Sequence, residues 1–547
     1  MNRECPHSYY PRPQFKRDSF ICLNGEWDFA IGDTVEDYPF RITVPFCPES
    51  DASGIGCSVL GKALRYRRFF TIPDGFNKGR ILLHFGAVDQ ICRVYVNGQR
   101  VGANEGGYLP FSFDITDAIC AGENELFVMT YDDLDHKYPW GKQKQDRGGM
   151  WYTPVSGIWQ TVWLESVPEK AIESLRITPT ERGVKIRVIG GDGTKRLYIF
   201  DSEEDYSFED EITIEPREVR YWTPEDPYLY RFSVECGEDK VESYFAIRTV
   251  DVRDVDGVDR ICLNGKPYLF NGLLDQGYYS DGIYMPATVD GYIDDIKLVK
   301  SMGFNTLRKH IKIEPMIFYY LCDSMGIAVF QDMVNNGGYS FLHDTALPTV
   351  GFQRLSDVRM NPNAESRQIF LDTMDKTAEL LYNSPSVVYY TIFNEGWGQF
   401  SADMTYDRLS EFDHTRVIDS TSGWFRRSKS DVDSRHIYFK PLKPKKLDGK
   451  PLVISEFGGY AHRIAGHCFG EKVYGYKLYK KRSDFEEAVI RLYDEEVRPL
   501  AIAGASAFIY TQVSDVEDET NGFITYDREI VKVDVDKIRE TMISLYK

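Results

Sequence analysis

Two glutamates close apolar runs. Glu395 follows Val387-Val388-Tyr389-Tyr390-Thr391-Ile392-Phe393-Asn394, and Glu456 follows Leu452-Val453-Ile454-Ser455. Short runs of this kind read as strands, and the C-terminal ends of barrel strands are where catalytic groups sit. Glycine follows each glutamate within two residues (Gly396; Gly458-Gly459), which lets the backbone turn away from a barrel mouth. A lone strand-end carboxylate is an ordinary hydrogen-bond acceptor. Two of them, three strands apart on one rim, are equipment for cleaving a glycosidic bond. A separation of about 5–5.5 Å gives retention through a covalent intermediate, and about 6.5–9.5 Å leaves room for water and gives inversion. The sequence leaves that distance open.

The elements that must position these groups follow from a change of period. After about Asp251, short apolar strands alternate with helical stretches. The strands are Tyr268 to Gly272, Asn305 to Lys309, Ile327 to Gln331, Val387 to Phe393, Arg416 to Asp419, His436 to Phe439, Leu452 to Ser455 and Ala507 to Tyr510; Tyr292 to Met302 and Ile313 to Ser324 are helices among them. This pattern predicts a (β/α)8 TIM barrel over 251–547. Arg308, His310, Asp332 and Trp424 also fall near strand ends. The stretch Asn335 to Pro362 is long, and reads as a lid, a subsite wall or a surface excursion.

Residues 1–166 are dense in short strands, with Val94-Tyr95-Val96 running into the hairpin dipeptide Asn97-Gly98. They predict an all-β jelly roll. Residues 167–250 predict an immunoglobulin-like β-sandwich, from two hairpins turning at Gly190 to Gly193 and at Gly237 to Asp239. Between Tyr138 and Tyr152, Trp140, Lys142, Gln143, Asp146, Arg147 and Trp151 can stack on sugars and hydrogen-bond to them. The stretch fits a wall of the active-site mouth or an interdomain interface, where Trp and Arg are also favoured.

Lys and Arg number 65 against 84 Asp and Glu, a net charge of −19. That argues against nucleic acid or an anionic membrane as partner, since both reward clustered cations. The four lysines from Lys440 to Lys446 read as a solvated loop. No apolar run approaches the ~18 residues of a membrane span, and the N-terminal residues lack the apolar core of a signal peptide. Ten scattered cysteines without a CxxC pair read as thiols in a reducing compartment, which predicts a cytoplasmic protein. No metal or cofactor motif stands out, so none is expected. The acidic run Asp515-Val516-Glu517-Asp518-Glu519 reads as a solvated loop, with a cation site as the alternative.

Five segments carry a resemblance. Leu23-Asn24-Gly25-Glu26-Trp27-Asp28-Phe29, Tyr152-Thr153-Pro154-Val155-Ser156-Gly157-Ile158-Trp159-Gln160, Gly303-Phe304-Asn305-Thr306-Leu307-Arg308, Phe393-Asn394-Glu395 and Ile454-Ser455-Glu456-Phe457-Gly458 resemble glycoside hydrolase family 2. That family holds β-galactosidases, β-glucuronidases and β-mannosidases. The resemblance covers almost the whole chain, with its motifs in the family's order. It implies a jelly-roll sugar-binding domain, an immunoglobulin-like domain, a catalytic barrel and retaining chemistry. It implies Glu395 as general acid/base and Glu456 as nucleophile. Asn394 resembles the residue that bonds the sugar 2-hydroxyl. Tyr438 resembles a tyrosine on the nucleophile, a core aromatic being the alternative, and Arg308 an arginine beside it. His310 reads as a substrate contact or a satisfied rim histidine, and Trp424 as a sugar platform or a buried side chain. The Asn-x-Lys pair of β-glucuronidases is missing after the last strand, where Asn521-Gly522-Phe523 stands, and Tyr510 lies where many relatives carry tryptophan. The expectation is a retaining exo-β-glycosidase of carbohydrate substrates, β-galactosidase first. The alternatives are β-glucuronidase, β-mannosidase or a non-catalytic carbohydrate-binding protein, and a homo-oligomer stays open.

Overall fold

In the strand Glu123–Tyr131, Asn124, Leu126, Val128 and Thr130 are buried, and the residues between them are partly exposed. Such alternation suits a sheet with one face on a core. The strand sits in a six-stranded antiparallel sheet opposite a four-stranded one built from Phe20–Cys22, Val162–Val167, Arg80–Phe85 and Phe111–Asp114. Trp27, Phe29, Tyr66, Phe85, Val94 and Leu164 belong to their common core. Asn97 and Gly98, both at positive φ, turn the hairpin between Ile91–Val96 and Gln99–Glu105. This is the predicted jelly roll. The computed structural model describes residues 5–32, 37–353, 356–358, 360–443 and 449–546; Lys445 and Lys446 of the predicted lysine loop lie outside the described residues.

A second sandwich follows, with Ile172–Pro179, Val184–Gly190 and Glu211–Ile214 in one sheet. The other holds Glu204–Phe208, Lys195–Ile199, Tyr230–Cys236 and Asp239–Phe245. The hairpin at Gly237 forms as predicted. The one at Gly190 to Gly193 does not: the chain crosses there from one sheet to the other. Val184, Ile186 and Val188 share a core with Leu197 and Ile199, and two inward faces can meet across a sandwich only from opposite sheets.

The barrel strands are β1 (Phe270–Asp275), β2 (Thr306–Lys309), β3 (Ala328–Asp332), β4 (Val387–Asn394), β5 (Val417–Ser422), β6 (Asp433–Ile437), β7 (Leu452–Gly458) and β8 (Ala507–Thr511). They are parallel, in the order β5-β4-β3-β2-β1-β8-β7-β6. Phe270, Leu274, Phe330, Tyr389, Val453 and Ile509 form one buried cluster, in which Phe330 and Tyr389 stack at 4.2 Å. The hairpin Val250–Val255 with Val258–Leu263 adds Val250, Ile261 and Leu263 to that cluster. Helices such as Asp290–Ser301, Met316–Met325 and Ala364–Leu381 supply buried side chains to a second, larger cluster. Among the described residues no helix separates β5 from β6, which departs from a strict β/α alternation. Strand ends also move: β5 runs on to Ser422 because Asn394 pairs with it, and β6 starts three residues before the predicted His436. Ladder partners, which lie far off in sequence, decide those ends. No described helix is long and apolar enough to cross a membrane.

Candidate active site

Glu395 stands one residue beyond β4 with φ +50°, and Gly396 follows at φ +82°. A Cβ on Gly396 would meet the Phe425 ring at 2.2 Å, so only glycine allows this turn. Glu456 lies within β7, where the register shifts against both β6 and β8. Such irregularities re-aim a side chain next to a site. One oxygen from each glutamate and a ring nitrogen of His436 all lie within 4.8 Å of one another.

The two carboxyl groups have different company. Arg308, fully buried, donates to Glu456 Oε1 at 3.0 Å, Asp332 Oδ1 at 3.0 Å and Asn394 Oδ1 at 2.9 Å. Burial works against its charge, but Asp332 and Glu456 outweigh burial and raise its pKa. Burial likewise pushes Asp332 up, and Arg308 and His310 overcome that and hold it below the usual carboxylate range. The Tyr438 hydroxyl donates to Glu456 Oε2 and lies 2.9 Å from Thr511 Oγ1 at the end of β8. Burial, then the Glu456 charge, holds its pKa well above the ordinary value, so it stays a donor.

Glu395 has a side chain 13% exposed, and burial raises its pKa against the pull of Lys142, His310 and Arg308. His436 Nδ1 lies 2.6 Å from Glu395 Oε1 and 3.5 Å from Glu456 Oε2, while its Nε2 lies 3.3 Å from Arg308 Nη1. A guanidinium only donates, so Nε2 accepts and Nδ1 carries the hydrogen that Glu395 receives. Burial depresses the His436 pKa to about 3, so the ring is a neutral donor. The trio Glu395, His436 and Glu456 has the spacing of metal ligands. With Arg308 already on Glu456 and an N–H aimed at Glu395, it does not suit a cation.

The other predicted residues fall around this centre. Asn394 Oδ1 accepts from Arg308 and from Ser422 Oγ, which leaves its amide N–H groups for a ligand. His310 is buried on Asp332 at 2.8 Å, and burial lowers its pKa. Trp424 is half-buried, edge-on to His436 at 5.7 Å. In the stretch from Asn335, Tyr339 packs edge-on against Trp397 at 5.8 Å, while Phe341, Leu342 and Val350 are exposed. His436 is a site residue that no motif marks in the sequence, although it lies two residues from Tyr438, on the same side of an extended chain. Tyr476, likewise unmarked in the sequence, stacks on Tyr438 at 3.7 Å.

The jelly roll reaches this site. From its long loop, Trp140 bonds Gly337 O across the interface with the barrel, while Gln143 bonds Asp89 and the Tyr108 hydroxyl within the jelly roll itself. Lys142, between them, places Nζ 4.8 Å over the Trp397 ring. The acidic run corrects its sequence reading: Asp515, Glu517, Asp518 and Glu519 are all buried. Lys532 pairs with Asp515 at 2.6 Å and Arg147 with Glu517 at 3.3 Å. Adjacent like charges look solvated in a sequence because their neutralising partners are remote.

Comparison with known proteins follows the same lines. A family profile described as "Glycosyl hydrolases family 2, sugar binding domain" matches residues 34–168, and one described as "Glycosyl hydrolases family 2, TIM barrel domain" matches residues 250–542. A β-galactosidase of Pseudoalteromonas haloplanktis is 26% identical over 430 residues, 72% of this chain and 38% of the relative. One of Kluyveromyces lactis is 24% identical over 591 residues, 88% of this chain and 54% of the relative. The chain thus spans about half or less of those relatives' length. Among solved structures, a β-glucuronidase from an uncultured Clostridium superposes with TM-score 0.75 at 19% identity, covering 98% of this chain and 99% of its own. A β-galacturonidase from Eisenbergiella tayi gives 0.71 at 21%, covering 98% and 99%. These likenesses carry the fold alone, but the barrel profile spans more than half of the sequence, and the chain belongs to glycoside hydrolase family 2.

Proposed function

We propose that this chain is a retaining exo-β-glycosidase, with Glu395 as general acid/base and Glu456 as nucleophile. The observation that carries the reading is the pair of carboxyl groups within 4.8 Å of His436 and of each other, one raised by burial and one held by Arg308 and Tyr438. That spacing suits attack by a carboxylate better than attack by an interposed water. Glu395 gives its proton to the glycosidic oxygen as Glu456 attacks the anomeric carbon. The bond to the leaving alcohol breaks, and a glycosyl ester forms on Glu456. Esterification removes the Glu456 charge, which lets Glu395 ionise more easily and take a proton from the incoming water. Water then attacks the anomeric carbon and frees Glu456. Asn394 presents its amide to the sugar 2-hydroxyl, a bond that strengthens in the transition state.

A terminal β-galactoside is our first substrate, supported by the β-galactosidase relatives and by Asn521-Gly522-Phe523 standing where Asn-x-Lys marks β-glucuronidases. The solved β-glucuronidase and β-galacturonidase favour β-uronides as the second reading. The ten free thiols support a cytoplasmic setting. A panel of nitrophenyl β-glycosides tests the activity, and mass spectrometry after a 2-fluoroglycoside tests the mechanism. A stable adduct on Glu456 is expected; turnover with inverted product and no adduct would overturn the double displacement.

A further inference from the structure

Lys142 is 6% exposed, and its ammonium lies 4.8 Å over Trp397, 5.8 Å over Trp151 and 5.9 Å over Tyr152. None of the described residues gives that ammonium a hydrogen-bond or ion-pair partner. Aromatic faces attract a cation, yet a buried ammonium still needs oxygen acceptors. Trp397 is two residues beyond Glu395, so Lys142 stands on that side of the site.

Glu519 joins the site by a different set of contacts. From Glu456 the contacts run through Tyr438 to Thr511, whose neighbour Gln512 donates to Glu519 Oε2 at 2.8 Å. The Tyr152 hydroxyl donates to the same oxygen at 2.9 Å, and Oε1 has no described partner. Tyr152 therefore serves both groups, with its ring near Lys142 and its hydroxyl on Glu519. Lys142 and Glu519 do not meet in an ion pair. The proximity registers electrostatically as well: burial pushes Glu395 and Glu519 up, and Lys142 pulls both down.

We infer that Lys142 and Glu519 clamp hydroxyl groups of a neutral sugar between an ammonium donor and a carboxylate acceptor, and that this clamp disfavours hexuronides. The inference rests on the glycosidase reading above and narrows its substrate to neutral hexosides. A hydroxyl can donate to Glu519 Oε1 while it accepts from Lys142 Nζ. A sugar carboxylate can satisfy only Lys142. Glu395 aside, the carboxyl groups of Asp332, Glu456 and Glu519 already stand around the site against Arg308 and Lys142. A uronate would add one more carboxylate to these in a site of low dielectric.

The test is kcat/KM on nitrophenyl β-galactoside, β-glucoside, β-mannoside, β-galacturonide and β-glucuronide. The enzymes are the wild type, Lys142→Met, Lys142→Gln, Glu519→Gln and the Lys142→Met/Glu519→Gln pair, with melting temperatures measured alongside. The wild type should prefer a neutral glycoside over its uronide by at least about 100-fold. Each single change should lower kcat/KM on that glycoside about 10- to 100-fold in a folded enzyme, the scale of a hydrogen bond to a charged group. The pair should lose less than the product of its parts, since both grip the same hydroxyls. Glu519→Gln should also narrow the gap to the uronide. A wild type that prefers a uronide, or folded variants with unchanged constants, would overturn the clamp and leave the glycosidase reading standing. If no glycoside turns over, that reading falls, and calorimetric titration with galactose and galacturonate decides the clamp. Galactose binding weakened by either variant keeps it; stronger galacturonate binding, or no binding of either sugar, removes it.

Discussion

The walls around Glu395 and Glu456 are built from the same kinds of residue and do opposite things. Glu456 receives a guanidinium and a phenol, and Arg308 ties it to Asp332, so its charge is spread over a fixed network. Glu395 receives one neutral imidazole N–H, has the Trp424 indole close by and no cation bonded to it, and burial raises its pKa. Two identical side chains thus differ by neighbours alone, one bound by a cation and a phenol and the other beside a neutral imidazole. His436 touches both walls and belongs to neither role, because Arg308 fixes its tautomer.

Four experiments test that asymmetry. Glu456→Gln removes the attacking oxygen anion, and kcat should fall by about 10^4-fold or more on every glycoside, activated or not. Glu395→Gln should cost about 10^2- to 10^4-fold on substrates with poor leaving groups, the usual worth of general acid catalysis. Activated aryl glycosides should still glycosylate Glu456 in a rapid burst. Equal losses on both substrate types would erase the difference between the walls. Arg308→Met leaves Asp332 and Glu456 buried without their cation, at a cost of about 3–5 kcal/mol, read as a lower denaturation midpoint. A midpoint within error of the wild type would mean that the network does not hold charge as described.

The smallest effect concerns pH. Glu395 is raised, so it keeps its proton to higher pH than an ordinary glutamate near about 4.3, and the basic limb of kcat/KM should lie above that value. His436 donates to the ionised form, and removing it disfavours ionisation. His436→Ala should therefore move the basic limb upward by about one unit, the typical spread of such effects. A downward shift would show that the ring acts as an acceptor and that its tautomer is reversed.

The sequence alone determined a great deal of this architecture. Short strands punctuated by turn residues marked the two sandwiches, and apolar runs spaced by helices marked the barrel, since these signals are local. It also placed Glu395, Glu456, Asn394 and Arg308 at strand ends, where a barrel collects them on one rim. It went astray where the deciding contact was distant. The turn at Gly190 to Gly193 is a crossover because two sheets had to share one core. The acidic run is buried because Lys532 and Arg147 meet it. The tautomer of His436 needed Arg308 against its Nε2, and Lys142, one of several loop residues able to meet a sugar, was set apart from the others by Trp397 beneath it. Local pattern encodes burial one residue at a time. Protonation state, tautomer and the pairing of charges depend on contacts between residues that are not neighbours in sequence, from Lys532 on Asp515 to Lys142 over Trp397, and only the folded chain determines those.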